Sequence, residues 1–226
     1  MKNKSEMNTL RYIIHRMKGQ LFETFVMWYT SFDDMSIDSF RKYVSRLVEE
    51  KELTFVSKGL YYVGNKLPED IYELVKHYYL DNSHSCYGDK TLLYELNLID
   101  YCPSIITILT PMVRGNRNIG PIRIKKVDSF PGIRKYRELF ELLSLRSHID
   151  DEHLGHYAMQ LTLRIPSNEE ELKHFIMIIN HSEIIYPRIV YFRLADLFTK
   201  LNIDFDIIKW YENAYVKSHH LSDSKD

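Results

Sequence analysis

Nine consecutive residues, His148-Ile149-Asp150-Asp151-Glu152-His153-Leu154-Gly155-His156, bring three histidines and three carboxylates together. Imidazole nitrogens and carboxylate oxygens are zinc ligands, and His153 and His156 share a face if the segment is helical. The HExxH spacing that sets two imidazoles and a general base around one ion is absent. Asp150 to Glu152 instead have the composition of a helix start ahead of an amphipathic segment. No metal is expected here.

Metal-dependent cleavage of phosphodiesters needs two or three carboxylates converging on Mg²⁺ with a lysine nearby. Residues 104–127 supply lysines, but the first acid is Asp128, just beyond them. The phosphate-cradling patterns GxxxxGK[ST] and GxGxxG are absent, as is the nucleophile pattern GxSxG. Cys86 and Cys102 form no CxxC and are expected as reduced thiols. No catalytic residue and no cofactor is expected.

The remaining chemistry is cationic. Ser39, Arg41, Lys42, Ser45 and Arg46 are short hydroxyls and long cations within one stretch, able to reach a phosphate or a base edge. Net charge is −1, but its distribution is uneven. Residues 1–66 hold 11 basic and 8 acidic residues, and residues 111–137 hold 8 basic and one acidic. Arg114, Arg117, Arg123, Lys125 and Lys126 in the latter segment are candidates for a second basic surface, facing nucleic acid or an acidic partner.

The elements that must position these cations follow from periodicity. Phe40, Val44, Leu47 and Val48 recur at helical spacing after Ser36 or Asp38 as cap, so the cations stand on the other faces. Leu53, Phe55 and Val56 precede a Ser57-Lys58-Gly59 turn and Leu60 to Val63 follow it, a hairpin with Lys58 at its tip. Ahead of them, Leu10, Ile13, Ile14 and Met17 predict one helix, Leu21-Phe22 a brief strand, and Thr24 the cap of a second helix in which Trp28 is core. Helices followed by a helix and hairpin are the order of a winged helix-turn-helix, whose last helix enters the major groove.

Gly64 to Pro68 reads as a domain boundary. Beyond it, helices are expected over 69–80 and 89–96, strands over 104–110 and 121–127 with a turn between them, and helices from Ile133 onward. The expected fold is therefore α+β: a winged helix-turn-helix over 1–66, then a C-terminal domain over 67–226 that is mixed α/β over 67–130 and helical over 131–218. No run of about 18 apolar residues is present to span a bilayer, and the N-terminus lacks the apolar centre of a secretory signal, so a cytoplasmic protein without membrane contact is expected.

The run SFRKYVSRLVEEKELTFVSKGLYYVG resembles the winged-helix N-terminus of AbiEi-type antitoxins, the regulator half of type IV toxin-antitoxin and abortive-infection systems. The resemblance continues through residues 87–98, SIITILT, RGNRNIG, and Tyr186-Pro187-Arg188 to Leu201. Two departures are Lys51 at a helix end where glycine is common and Asn97-Leu98 in place of Gly-Leu. The resemblance implies an autorepressor that binds double-stranded operator DNA at inverted repeats and neutralises a nucleotidyltransferase toxin. By carry-over it implies Ser39, Arg41, Lys42, Ser45 and Arg46 toward the groove and Lys58 at the wing tip. Two other classes remain open: a winged-helix protein whose C-terminal part is a nuclease or other nucleic-acid enzyme, and a protein-interaction module.

Overall fold

The structure, a computed structural model, describes residues 2–127, 133–180 and 186–222. Helices and short strands are mixed along the chain, giving the expected α+β class. Among the described residues no helix is long and apolar enough to cross a membrane. Contacts divide the chain into two compact units, Met1–Asp81 with Arg117–Ile122, and Asn82–Asn116 with Arg123–Asp226.

In the first unit, α1 (Lys2–Arg16) leads to β1 (Leu21–Glu23), α2 (Thr24–Ser31), α3 (Ile37–Glu49), β2 (Leu53–Ser57), β3 (Leu60–Val63) and α4 (Ile71–Leu80). Leu10 and Ile14 of α1 and Phe40, Val44 and Leu47 of α3 each share a helical face, and both faces close on Phe22, Met27, Phe32, Leu53 and Val63. Antiparallel pairing of β3 with both β1 and β2 gives the order β1-β3-β2, so β2 is an edge strand. Ser36 caps α3, its Oγ accepting from the Ser39 N–H at 3.2 Å. Thr24 does not cap α2. Its hydroxyl and N–H both donate to the Gly59 carbonyl, at 3.1 and 2.8 Å, a partner 35 residues away that only the folded chain brings near. Gly59 itself sits at φ 81, the left-handed conformation the tight turn after Lys58 requires.

The remaining strands and α-helices are β4 (Cys86–Tyr87), α5 (Asp89–Glu95), β5 (Ile106–Thr110), β6 (Arg117–Ile119), β7 (Ile122–Lys126), α6 (Arg134–Ser144), α7 (Leu154–Thr162), α8 (Glu169–Asn180), α9 (Arg188–Lys200) and α10 (Ile207–Ser222). A second sheet has the order β4-β5-β7-β6, and β6 falls where sequence alone predicted only a turn. In the second unit Leu92, Leu93, Leu139, Phe140, Phe175, Leu194 and Phe198 belong to one buried core. The polar start of α8 is well capped. The Glu171 N–H donates to Asn168 Oδ1 at 2.9 Å, while the Glu171 carboxylate accepts from the Ser167 N–H at 2.9 Å and from Lys135 Nζ at 2.8 Å. These donors hold the Glu171 carboxyl down at about 2.

The division between units falls after Asp81, not at 64–68 as expected, because α4 and residues 117–122 belong with the first unit. The expected change from mixed to helical structure at 130/131 lies outside the described residues.

Lys51 and Asn97, the two departures from the resembled pattern, both stand at helix ends. Lys51 has φ 60, with its N–H donating to the Val48 carbonyl at 3.0 Å and the Glu52 N–H to the Leu47 carbonyl at 2.9 Å, the paired bonds of a Schellman stop. Asn97, at φ 53, ends α5 in the same way, with bonds to the Tyr94 and Leu93 carbonyls. A lysine in this conformation carries a steric cost that glycine lacks. Lys51→Gly should therefore raise stability by about 1 kcal/mol, read as a higher urea midpoint at unchanged slope.

Candidate nucleic-acid interface

At about 100° per residue, Ser39, Lys42 and Arg46 of α3 lie within about 60° of one another, with Ser45 about 60° beyond Lys42 and Arg41 about 40° further round. Phe40, Tyr43, Val44 and Leu47 fill the opposite arc and are buried. Tyr43 was not among the expected core residues, although its spacing of three from Phe40 and four from Leu47 carries the signal. Arg41, Lys42, Ser45 and Arg46 are exposed. Ser39 is half-buried, and its hydroxyl accepts from Ser36 Oγ at 2.9 Å. Arg41 is paired with Asp38 at 3.0 Å, but both side chains are more than half exposed, at 54% and 80%, so water screens the pair and leaves Arg41 exchangeable.

Lys58 is exposed at the turn between β2 and β3. The backbone beneath it is fixed. Thr24 holds the Gly59 carbonyl, and Arg117 Nη1 donates to the Lys58 carbonyl at 3.2 Å. The Arg117 guanidinium also pairs at 3.3 Å with Glu23, a carboxylate only 4% exposed. The other Glu23 oxygen accepts from the Tyr79 hydroxyl, and the Glu23 N–H donates to the Tyr78 hydroxyl at 3.1 Å. Burial pushes the Glu23 carboxyl above its ordinary range, against the pull of Tyr79 and Arg117. The same burial raises the Tyr78 phenol to about 12. This polar node ties β1, α4, the hairpin turn and residue 117 to one point, which is why the first unit extends past the expected boundary.

The basic segment 111–137 does not turn its cations outward as a set. Arg117 belongs to the first unit, whereas Arg114, Arg123, Lys125 and Lys126 belong to the second. Lys125 Nζ meets Asp89 at 2.6 Å, Arg134 donates to the Ser85 and Asn82 carbonyls, Lys135 meets Glu171, and Arg137 is buried. Arg114 and Lys126 are exposed and Arg123 half-buried. Asp89 is thus the carboxylate that the 104–127 stretch lacked, supplied from the start of α5. Lys125 Nζ lies 2.6 Å from it, so in this structure the two form an ion pair. Glu141 accepts from the Tyr186 hydroxyl at 3.1 Å and is pushed up chiefly by burial, with the Asp89 charge adding to the rise.

His153 and His156 have different side-chain partners. His156 Nε2 lies 3.0 Å from the Gln160 amide nitrogen, and His148 is exposed beside Ser147. His153 faces Asp100 at 3.5 Å and Glu152 at 3.8 Å, and the three offer ligand atoms within 4.8 Å of one another. Asp100 is far away in sequence, so no local spacing points to it. Both carboxylates are strongly exposed, at 85% and 73%, the state of solvated acids beside an imidazole. Cys86 is buried, which pushes its thiol up, and Cys102 is exposed; both are free. Trp28 is packed on the first core and its indole N–H donates to the Met35 carbonyl at 2.7 Å, a structural role.

The Glu23 node generates two expectations. Glu23→Ala leaves Arg117 and Tyr79 facing a void and should cost about 3 kcal/mol in chemical denaturation. Because its folded value is raised, Glu23 contributes stability that is fully present below the ordinary glutamate value and lost as pH rises through the folded value. Glu23→Gln removes that loss, so its stability relative to wild type should improve from about pH 4 upward. A constant difference across urea titrations at several pH values would contradict this.

No protein-family model matches this chain, and no curated protein matches it.

Proposed function

We propose that the first unit is a winged helix-turn-helix that binds double-stranded DNA, with α3 in the major groove and the β2–β3 hairpin as its wing. The observation that carries this reading is the pairing of one helix face with one hairpin. The exposed arc of α3 bears Arg41, Lys42, Ser45 and Arg46 above a continuous apolar arc, and the hairpin that follows exposes Lys58 on an anchored turn. The order of α1, β1, α2, α3, β2 and β3, with the sheet β1-β3-β2, is consistent with that architecture. Cations reach phosphates, and the serines and Arg46 are short or long enough to meet base edges.

The chain as a whole is read as an AbiEi-type antitoxin and autorepressor of a type IV toxin-antitoxin operon. This half of the reading rests on the sequence resemblance over the hairpin, residues 87–98, the strand and basic turn that follow, and Tyr186 to Leu201. The second unit is then the part that opposes a nucleotidyltransferase toxin. In this reading the DNA footprint is α3 and Lys58, and the ion pairs of Arg117 and Lys125 speak against those two side chains taking part in it.

Fluorescence anisotropy with duplex DNA from upstream of the gene tests the first half. Wild type should bind with salt-dependent affinity. Lys42→Ala with Arg46→Ala should abolish specific retention and reduce the salt slope by about one for each phosphate that is no longer neutralised. Absence of duplex binding at low salt would favour a protein-interaction module, and metal-dependent cleavage of the probe a nucleic-acid enzyme. Co-expression with the product of a neighbouring nucleotidyltransferase gene tests the second half. Growth should be restored by the full chain and by the Lys42→Ala, Arg46→Ala variant, and persistent growth arrest with the full chain would reject the antitoxin role.

A further inference from the structure

Phe55 is an exposed phenylalanine without a polar handle, in a position where the fold gives it a fixed direction. It lies on the edge strand β2, two residues after the buried Leu53 and therefore on the same sheet face, and is 54% exposed. Across the hairpin its register partner is Tyr61. The two rings meet edge-on at 5.9 Å, and Tyr61 in turn stacks on Phe22 at 5.8 Å, inside the first core. The row Phe22, Tyr61, Phe55 thus runs from the core to the surface, and its inner members hold the outer ring in place. The hairpin that carries the outer ring also carries the exposed Lys58, three residues after Phe55, and Arg41 of α3 is within electrostatic range of Tyr61.

From this we infer that Phe55 is an apolar DNA contact of the hairpin, its ring packing against deoxyribose and base edges beside the α3 footprint. The inference rests on the DNA-binding reading above and adds a contact that is uncharged. A side chain with no charge releases no counterion, so it adds affinity without adding salt dependence. Lys58 on the same hairpin and the cations of α3 bring the backbone close, and a rigid aromatic edge fits the apolar sugar faces and the thymine methyl that line a groove. Among the other exposed aromatics of the first unit, Tyr12 lies beneath Arg16, Tyr29 stacks on Phe25 of its own helix and Tyr72 stands on α4. Phe55 is distinguished from these by standing on the hairpin that carries Lys58.

The test is anisotropy titration of wild type, Phe55→Ala and Phe55→Leu against the upstream duplex at several salt concentrations, with sedimentation velocity of each protein alone. Phe55→Ala should weaken binding about tenfold with an unchanged salt slope, and Phe55→Leu should retain most of the affinity. Equal binding by wild type and Phe55→Ala overturns the inference while leaving the DNA-binding reading intact. Failure of wild type to bind overturns both. A second copy of the chain is the competing occupant, since β2 is an edge strand. If Phe55→Ala converts a dimer to a monomer and its weaker DNA binding is recovered when two chains are covalently linked, the ring belongs to a subunit interface and the inference fails. Phe55→Leu, which keeps an apolar side chain against Tyr61, guards against a loss caused by a disturbed hairpin.

Discussion

The first unit depends on one buried carboxylate. A glutamate withdrawn from water is costly unless its oxygens are occupied, and Glu23 has an occupant on each: the Tyr79 hydroxyl and the Arg117 guanidinium. The partners come from α4 and from a segment 94 residues away, and Arg117 also grips the hairpin turn through the Lys58 carbonyl. One local requirement, satisfying Glu23, therefore fixes three separate parts of the unit. It makes α4 part of the first unit and stiffens the backbone under Lys58, so that the exposed cation at the turn stands on a braced support.

Charge along the chain and charge on the surface are different quantities here. In the densest run of cations, residues 111–137, at least five of the eight are engaged: Arg117, Lys125 and Lys135 by Glu23, Asp89 and Glu171, Arg134 by backbone carbonyls, and Arg137 by burial, while Arg114 and Lys126 are exposed. The N-terminal part has a smaller excess, yet on α3 it exposes Lys42 and Arg46 together because the helix repeat sorts them from the apolar residues. A modest excess that is sorted onto one face offers more to a polyanion than a larger one neutralised from within.

Helix ends impose the second constraint. Lys51, Asn97 and Asn202 all adopt the left-handed conformation, and each follows the last turn of a helix whose carbonyls its own and the next residue's N–H groups satisfy. Asparagine enters that conformation at small cost and lysine at a larger one. At 51 the chain must turn sharply from α3 into β2, and the paired bonds to Leu47 and Val48 keep lysine there.

Much of the fold was legible in the sequence, because amphipathic spacing acts over three or four residues. The faces of α1, α3, α5 and the helices from α6 onward follow from it, as do the hairpin around Lys58-Gly59 and the exposure of Lys42, Ser45 and Arg46 on α3. What the sequence could not reveal are the partners separated by long loops. Arg117 looked like a surface cation until Glu23 met it, Lys125 until Asp89 met it, and Thr24 like a helix cap until Gly59 came within reach. The boundary moved from 64–68 to Asp81 for the same reason. Periodicity is a property of neighbours in the chain and is fixed before folding. An ion pair depends on distance in space, and only the tertiary structure decides which charges come close enough for burial to make their pairing obligatory.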